Sequence, residues 1–290
     1  MKVLSTKLRK VTRSGFFLVC MLAIILSCLN SPVKAQDTDL DVPYVPTPIY
    51  VVKQMLKMAD INPSDYLIDL GSGDGRIVIA AARMGALAHG VELDPERIEQ
   101  AEDNAENAGV SDKVIFLEEN LFETDFTRAS VITMYLLPGL NVSLRPLLLE
   151  QLEPGTRIVS HSFDMDDWEP DDSRIVLPDS VGGGYHPIYM WIIPAQVQGH
   201  WEWAAMGDSY QADIKQKFQR IFMESRSGIW KMQSKNLYLR GDRVRFTIQR
   251  GARTFYYSGR VDGDTIYGTV QMYRGNTKVL ESWEAHRTSE

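Results

Sequence analysis

The segment Asp69-Leu70-Gly71-Ser72-Gly73-Asp74-Gly75-Arg76, followed by Gly90-Val91-Glu92-Leu93-Asp94-Pro95, constrains this chain more than any other. Tyr66-Leu67-Ile68-Asp69 is a short apolar run of the kind that forms a buried parallel strand, and residues 77–84 have helical periodicity. Three glycines between them permit a sharp strand-to-helix turn and a close approach of backbone to a ligand. N–H groups at a helix start also attract negative charge. Glu92 ends the next short strand, where an acidic side chain accepts both hydroxyls of a ribose. The two blocks together imply a nucleoside-containing ligand; a glycine turn that binds nothing is the plain alternative.

From Tyr66 onward strands alternate with helices. Strands are expected at 66–69, 88–92, 114–117, 131–136 and 157–162, and helices at 77–84, 95–108 and near 144–152. The pattern predicts an α/β fold with a doubly wound, mostly parallel, Rossmann-like sheet covered by helices on both faces. The ligand then lies at the carboxyl ends of the strands, where both blocks fall. Upstream, Pro43, Pro46 and Pro48 keep the chain extended before a helix at 49–59. Near 195–199 the texture changes to short alternating runs, such as Val244/Phe246/Ile248 and Ile266/Gly268/Val270/Met272. Turns at 241–242, 262–264 and 275–276 separate them, which predicts a small antiparallel β barrel or sandwich over 199–290, lipocalin-like in character. Its Trp and Tyr side chains either fill a β core or line an apolar pocket.

Charge and the first 35 residues bear on location. Residues 1–35 hold six Lys or Arg and no acid, which leaves 25 basic against 38 acidic residues beyond them, a net of −13. A body of that charge repels phosphates, so nucleic acid is not expected as a substrate. A basic stretch precedes the apolar run 15–29, and Val33-Lys34-Ala35 offers a small-residue cleavage site. Residues 1–35 are therefore expected to be a signal peptide or membrane anchor, with the body exported or held outside the cytoplasm. The expected domains are then 36–198 for the α/β sheet and 199–290 for the β module. Both cysteines, Cys20 and Cys28, fall in the leader, so no cysteine nucleophile or thiolate metal site is expected in the body. Lipidation at Cys28 is an alternative to cleavage.

The glycines run G-x-G-x-G with Asp69 before them, unlike the G-x-G-x-x-G of dinucleotide binders. This spacing resembles the first motif of class I S-adenosyl-L-methionine (SAM) methyltransferases. An acid near the loop suits the ammonium of SAM's amino acid end, and loop N–H groups suit its carboxylate. A narrower resemblance rests on Val42–Pro48 (VPYVPTP), Asp69–Ala80 (DLGSGDGRIVIA), Glu92–Pro95 (ELDP), Tyr135–Pro138 (YLLP) and Arg157–Ser162 (RIVSHS), then Phe163 and Trp168-Glu169-Pro170. In that order they resemble the seven-strand lysine methyltransferases that modify the mitochondrial adenine nucleotide translocase and the ATP synthase c-subunit. The resemblance covers about residues 42–170 and leaves the β module outside it.

The resemblance implies a SAM-dependent protein-lysine N-methyltransferase with a protein substrate, membrane proteins included; membrane association through the N-terminal segment is expected separately, from the character of residues 1–35. It places Asp69, Gly71, Ser72, Gly73 and Asp74 in the SAM loop, Glu92 on the ribose and Asn120 beside the adenine. Asn120 stands where the family usually has an acid, and its side-chain carbonyl can still accept from an exocyclic amine. Tyr44 and Thr47 match the entry segment that folds over the cofactor; Tyr135 and Pro138 match the motif facing the acceptor. Each keeps a plainer reading. Tyr44 can be an apolar lid, Tyr135 a core aromatic at a strand end, and Asp74 a helix cap. His161 and His186 are tempting bases, but a lone histidine is more often a structural hydrogen-bonding residue, and the chemistry requires no dedicated base. Other functions left open are methylation of a small molecule or lipid, and non-catalytic binding of a nucleoside or partner.

Overall fold

The computed structural model describes residues 45–178 and 184–288. The expected leader over 1–35, Cys20, Cys28 and Tyr44 lie outside the described residues. Among those described, no helix is long and apolar enough to cross a membrane.

Chain order begins with α1 (Ile49–Met58), β1 (Tyr66–Leu70), α2 (Arg76–Arg83), β2 (Leu87–Glu92) and α3 (Pro95–Ala108). It continues with β3 (Val114–Glu118), β4 (Val131–Met134), α4 (Pro138–Gln151) and β5 (Arg157–His161). β6 (Asp172–Val176) and β7 (His186–Ile192) complete a seven-stranded sheet of order β3-β2-β1-β4-β5-β7-β6. β3 to β5 run parallel, and β7 is antiparallel to both neighbours. The sheet is thus mixed rather than wholly parallel. The strand order reverses between β1 and β4, the place where an open α/β sheet forms its crevice.

Helices form where capping and periodicity agree. α3 starts at Asp94, whose carboxylate accepts from Glu96 N at 2.9 Å, has Pro95 at its first position and ends at Gly109 in the left-handed region. α1, α2 and α3 bury one apolar face each against Leu67, Ala88, Val131 and Val159 of the sheet. Ser160 points the other way from Val159, and there Asn141 of α4 donates to it at 3.3 Å. Helices therefore cover both faces.

The remaining chain forms a closed eight-stranded antiparallel barrel, β8 (Gly199–Ala205) to β15 (Thr277–Thr288), in the order β10-β11-β12-β13-β14-β15-β8-β9. β9 spans Asp208–Lys217, β10 Arg220–Ser227, β11 Trp230–Arg240, β12 Arg243–Arg250, β13 Arg253–Asp262 and β14 Thr265–Arg274. Strict alternation of buried and exposed residues along β10 shows why the sheet closes with an apolar interior. The aromatics fill that interior. Trp203 stacks on Tyr210 with ring centroids 5.4 Å apart, Phe246 stacks on Tyr257 at 4.7 Å, and Trp283 stands edge-on to Tyr257 at 5.0 Å.

Sheet and barrel meet at the segment between β5 and β6. Trp168, fully buried, stacks on Phe218 of the β9–β10 turn at 5.3 Å and donates to Gln219 Oε1 at 2.9 Å. Gln219 returns a bond to the Glu169 carbonyl at 2.6 Å, and Lys217 pairs with Asp167 at 2.9 Å. Trp191 of β7 donates to the Trp168 carbonyl at 2.7 Å, so this seat is fastened to the sheet as well. Trp168→Ala removes both the stack and the indole bond and is expected to lower stability by about 3–5 kcal/mol. Chemical denaturation followed by fluorescence checks it, and an unchanged midpoint would show that Trp168 is not what holds the barrel in place.

Candidate active site

The turn from β1 to α2 runs through Gly71, Gly73 and Gly75, with φ of +73°, +53° and +76°, values that L side chains resist. Gly71 N and Ser72 N both donate to the Val91 carbonyl, at 2.9 and 3.0 Å, and Gly75 N donates to Ser72 O at 3.0 Å. Gly73 N donates to Glu92 Oε2 at 2.9 Å. Glu92 Oε1 accepts from Leu93 N at 2.9 Å and Asp94 N at 3.2 Å. The expected role of these N–H groups is to meet a ligand carboxylate. Those of Gly71, Ser72 and Gly73 are instead engaged with β2 and that of Gly75 with the loop itself, and the positive charge at the loop belongs to Arg76.

Arg76 binds both oxygens of Asp74, with Nε at 2.8 Å and Nη2 at 2.5 Å, and its Nη1 donates to the Thr47 carbonyl at 2.9 Å. One guanidinium thus joins the glycine loop to the entry segment. The cap on α2 is Gly75, not Asp74, although Arg76 N lies 3.3 Å from Asp74 Oδ1. Asn104 of α3 holds the Asp74 carbonyl at 3.0 Å.

Asp69 is buried at the end of β1 and accepts from Thr133 Oγ1 at 2.7 Å. Burial pushes its pKa up to about 8 against the pull of Thr133, with Glu92 and Asp74 adding repulsion. The carboxyl therefore stays mostly protonated at neutral pH until a positive group arrives. Ser72 is buried with its Oγ unpartnered, packed so closely on Gly90 that a Cβ there would lie 2.4 Å from that oxygen. A buried acid, a loop free of side chains at its glycines and a strand-end Glu92 fit a ligand with an ammonium and a ribose, as SAM has, although three backbone N–H groups leave Glu92 one acceptor position rather than the two expected for both hydroxyls. Asn120 is exposed in the turn after β3, its Oδ1 accepting from Phe122 N at 3.0 Å, which leaves one lone pair of that oxygen for an amine.

Thr47, expected over the cofactor, and Tyr135 and Pro138, expected on the acceptor side, divide differently. Thr47 is buried, and its Oγ1 lies 3.1 Å from His161 Nδ1. Tyr135 follows β4, with its ring centroid 4.0 Å from that of His161 and 6.1 Å from that of Phe163. Pro138 is exposed at the first position of α4, where its fixed φ suits a helix start. His161, at the end of β5, is fully buried, and its Nε2 lies 2.9 Å from Nδ1 of His186, the first residue of β7. Burial, and then the neighbouring His186, pull the His161 pKa down to about 4, so the ring is neutral at physiological pH. Sequence reasoning meets these histidines one at a time and gives neither a role. Their pairing requires β5 beside β7, which no local signal announces.

The chain is similar to known proteins over its sheet. The model of the ANTKMT methyltransferase domain matches residues 69–172. A protein-lysine N-methyltransferase of Saccharolobus islandicus (strain REY15A) is 43% identical over 154 residues, 52% of this chain and 94% of that protein. The ATP synthase c-subunit lysine N-methyltransferase of Xenopus laevis is 34% identical over 132 residues, 46% of this chain and 58% of that protein. Among solved structures, an RNA methyltransferase from Salinibacter ruber in complex with S-adenosyl-L-homocysteine is 51% identical, with 53% of this chain and 96% of that chain covered and a TM-score of 0.49.

Asp69 gives a pH signature. Its carboxyl titrates near 3.8 when unfolded and about 8 when folded, so between these values the native state keeps a proton that the unfolded state has lost. The stability it contributes is complete below pH 3.8 and is lost as pH rises through about 8. Asp69→Asn, which keeps the acceptor for Thr133, is expected to melt higher than the parent at pH 8–9 and to lose that advantage near pH 4. Thermal melts across this range decide it; a constant difference would show that Asp69 ionises freely in the fold.

Proposed function

Because the chain belongs to the protein-lysine N-methyltransferase family, we propose that its acceptor is a lysine of a protein at a membrane or in the cell envelope. The cofactor is SAM, whose sulfonium supplies a methyl group poised for displacement by an amine. The observation that carries the reading is the Arg76 bridge from the glycine loop to Thr47, which puts the cofactor-side residues and the Thr47–His161–Tyr135 cluster in one place.

Glu92 already accepts from Gly73, Leu93 and Asp94 N–H groups, and its one remaining acceptor position, on Oε2, takes a ribose hydroxyl. Asp69 ionises as an ammonium settles beside it, so binding at neutral pH releases a proton. On the acceptor side, the half-buried Tyr135 and the buried Thr47 present hydroxyls that orient an amine. Holding amine, methyl and sulfur in line and excluding water contributes roughly 7–11 kcal/mol in favourable cases. A free lysine, of pKa about 10.4, must also lose a proton before it attacks.

The basic and apolar character of residues 1–35 supports delivery of the body to a membrane or beyond it, anchored or released. The Xenopus relative is named for the ATP synthase c-subunit, a precedent for a protein acceptor of that kind. The net charge of −13 beyond residue 35 speaks against a nucleic acid acceptor.

Two measurements test this. Calorimetric titration with SAM is expected to show saturable binding, weakened about 10–100-fold in Glu92→Ala by loss of charge-assisted hydrogen bonds. Incubation with methyl-tritiated SAM and a membrane protein fraction is expected to place label on lysine. A well-folded protein that binds no SAM would overturn the enzyme reading; label on lipid or nucleic acid alone would overturn the acceptor.

A further inference from the structure

Three side chains stand in a row at the acceptor edge: Thr47 Oγ1 lies 3.1 Å from His161 Nδ1, and His161 Nε2 lies 2.9 Å from His186 Nδ1. Thr47 and His161 are buried, whereas His186 is half-buried at the start of β7, so the row leads from the interior towards solvent. We propose that Thr47, His161 and His186 form a proton path that carries the proton of the acceptor lysine out of the site. The inference rests on the lysine methyltransferase reading and adds to it the residues that neutralise the nucleophile.

Geometry favours transfer over a purely structural role. A neutral imidazole has one N–H and one lone pair, and both nitrogens of His161 face groups that donate or accept equally well. Either tautomer satisfies the row, and switching between them moves a proton along it without charging the buried ring. Tyr135 lies against one side of His161, and Tyr50 of α1 stands edge-on to His186 at 5.7 Å. These tyrosines and the two histidines are, among the described residues, the titratable groups that touch the pair. Among the described residues, no group of three or more His, Cys, Asp or Glu could hold a metal.

The step balances. A lysine N–H bond breaks and its proton goes to Thr47 Oγ as the Thr47 hydroxyl proton goes to His161 Nδ1. The proton on His161 Nε2 passes to His186 Nδ1, and His186 releases the one on its Nε2 to water. Lysine ends as the free amine, the three side chains end neutral, and one proton has left. The tautomers reset through water once product departs. The neutral His161 is what this requires, since a ring already charged has no lone pair to receive.

The test has two arms on the full chain. In the first, nitrogen NMR of histidine-labelled protein reads the tautomers of His161 and His186. Thr47→Val is expected to shift both, His186 through His161, and an unmoved His186 overturns the path whether or not the protein is active. In the second, transfer from methyl-tritiated SAM to a peptide library with a central lysine is followed from pH 7 to 10. His186→Asn is expected to lose about 10²-fold in kcat at pH 7, the low end of what general base catalysis contributes. The loss is expected to shrink towards pH 10, where lysine arrives already neutral. A loss constant with pH means a structural role and overturns the path. If the parent protein labels no peptide and no membrane protein, the methyltransferase reading falls, and the proton path falls with it even where the NMR coupling stands.

Discussion

The turn between β1 and α2 sets the position of everything else at the carboxyl edge of the sheet. It exists because three glycines accept positive φ and because β2 supplies acceptors for the N–H groups this leaves pointing sideways. Val91 takes two of them through its carbonyl and Glu92 takes a third through its carboxylate. The loop is therefore tied to β2 before any ligand arrives. Such pre-organisation lowers the ordering cost of binding. It also fixes Arg76, whose guanidinium reaches back to Thr47 and so decides where the entry segment can lie.

The barrel is fastened to the opposite kind of feature, a stretch with neither helix nor regular strand. Residues between β5 and β6 offer Asp167, Trp168 and Glu169 to the β9–β10 turn, and the ion pairs there surround a buried ring stack. Exposed ion pairs contribute little by themselves. The stack and the indole bond are the buried part of this contact. The segment that seats the barrel begins at Phe163, whose ring lies against Tyr135. Barrel seat and acceptor cluster are thus consecutive parts of one connection.

Much of the sheet is legible in the sequence because its strands are short apolar runs and its helices are periodic; α3 lies where 95–108 is expected, and the structure caps it with Asp94 and Gly109. α4 begins at Pro138, earlier than its leucines suggest, since proline at a first turn reads locally as a break. β6 and β7 carry no comparable signal. β6 is mostly exposed, with Asp172 and Arg174 on it, as an edge strand can be, and β7 finds its place by pairing with β5 and β6. Closure of the barrel depends on β15 meeting β8, strands nearly the full length of the module apart, which alternation cannot reveal. The cofactor-side residues are local in sequence and readable as a motif. The acceptor side is assembled from α1's approach, the ends of β4 and β5 and the start of β7, so Thr47, Tyr135 and Pro138 can be named in advance only by resemblance, and the pairing of His161 with His186 cannot.

The two buried titratable groups of the site are both uncharged at rest, for the same physical reason and with opposite consequences. Burial raises the Asp69 carboxyl to about 8 and lowers His161 to about 4, because each would otherwise carry an isolated charge away from water. Glu92 and Asp74 repel a charge on Asp69, so a cation beside it is what would favour its ionised form. The hydrogen-bonding neighbours of His161 are a hydroxyl and another imidazole, neither of which steadies a charge on the ring. It cannot hold a charge, but it can hand a proton on. Asp69 suits an ammonium that is kept and His161 one that is neutralised, and Arg76 links the loop beside Asp69 to the Thr47 that touches His161.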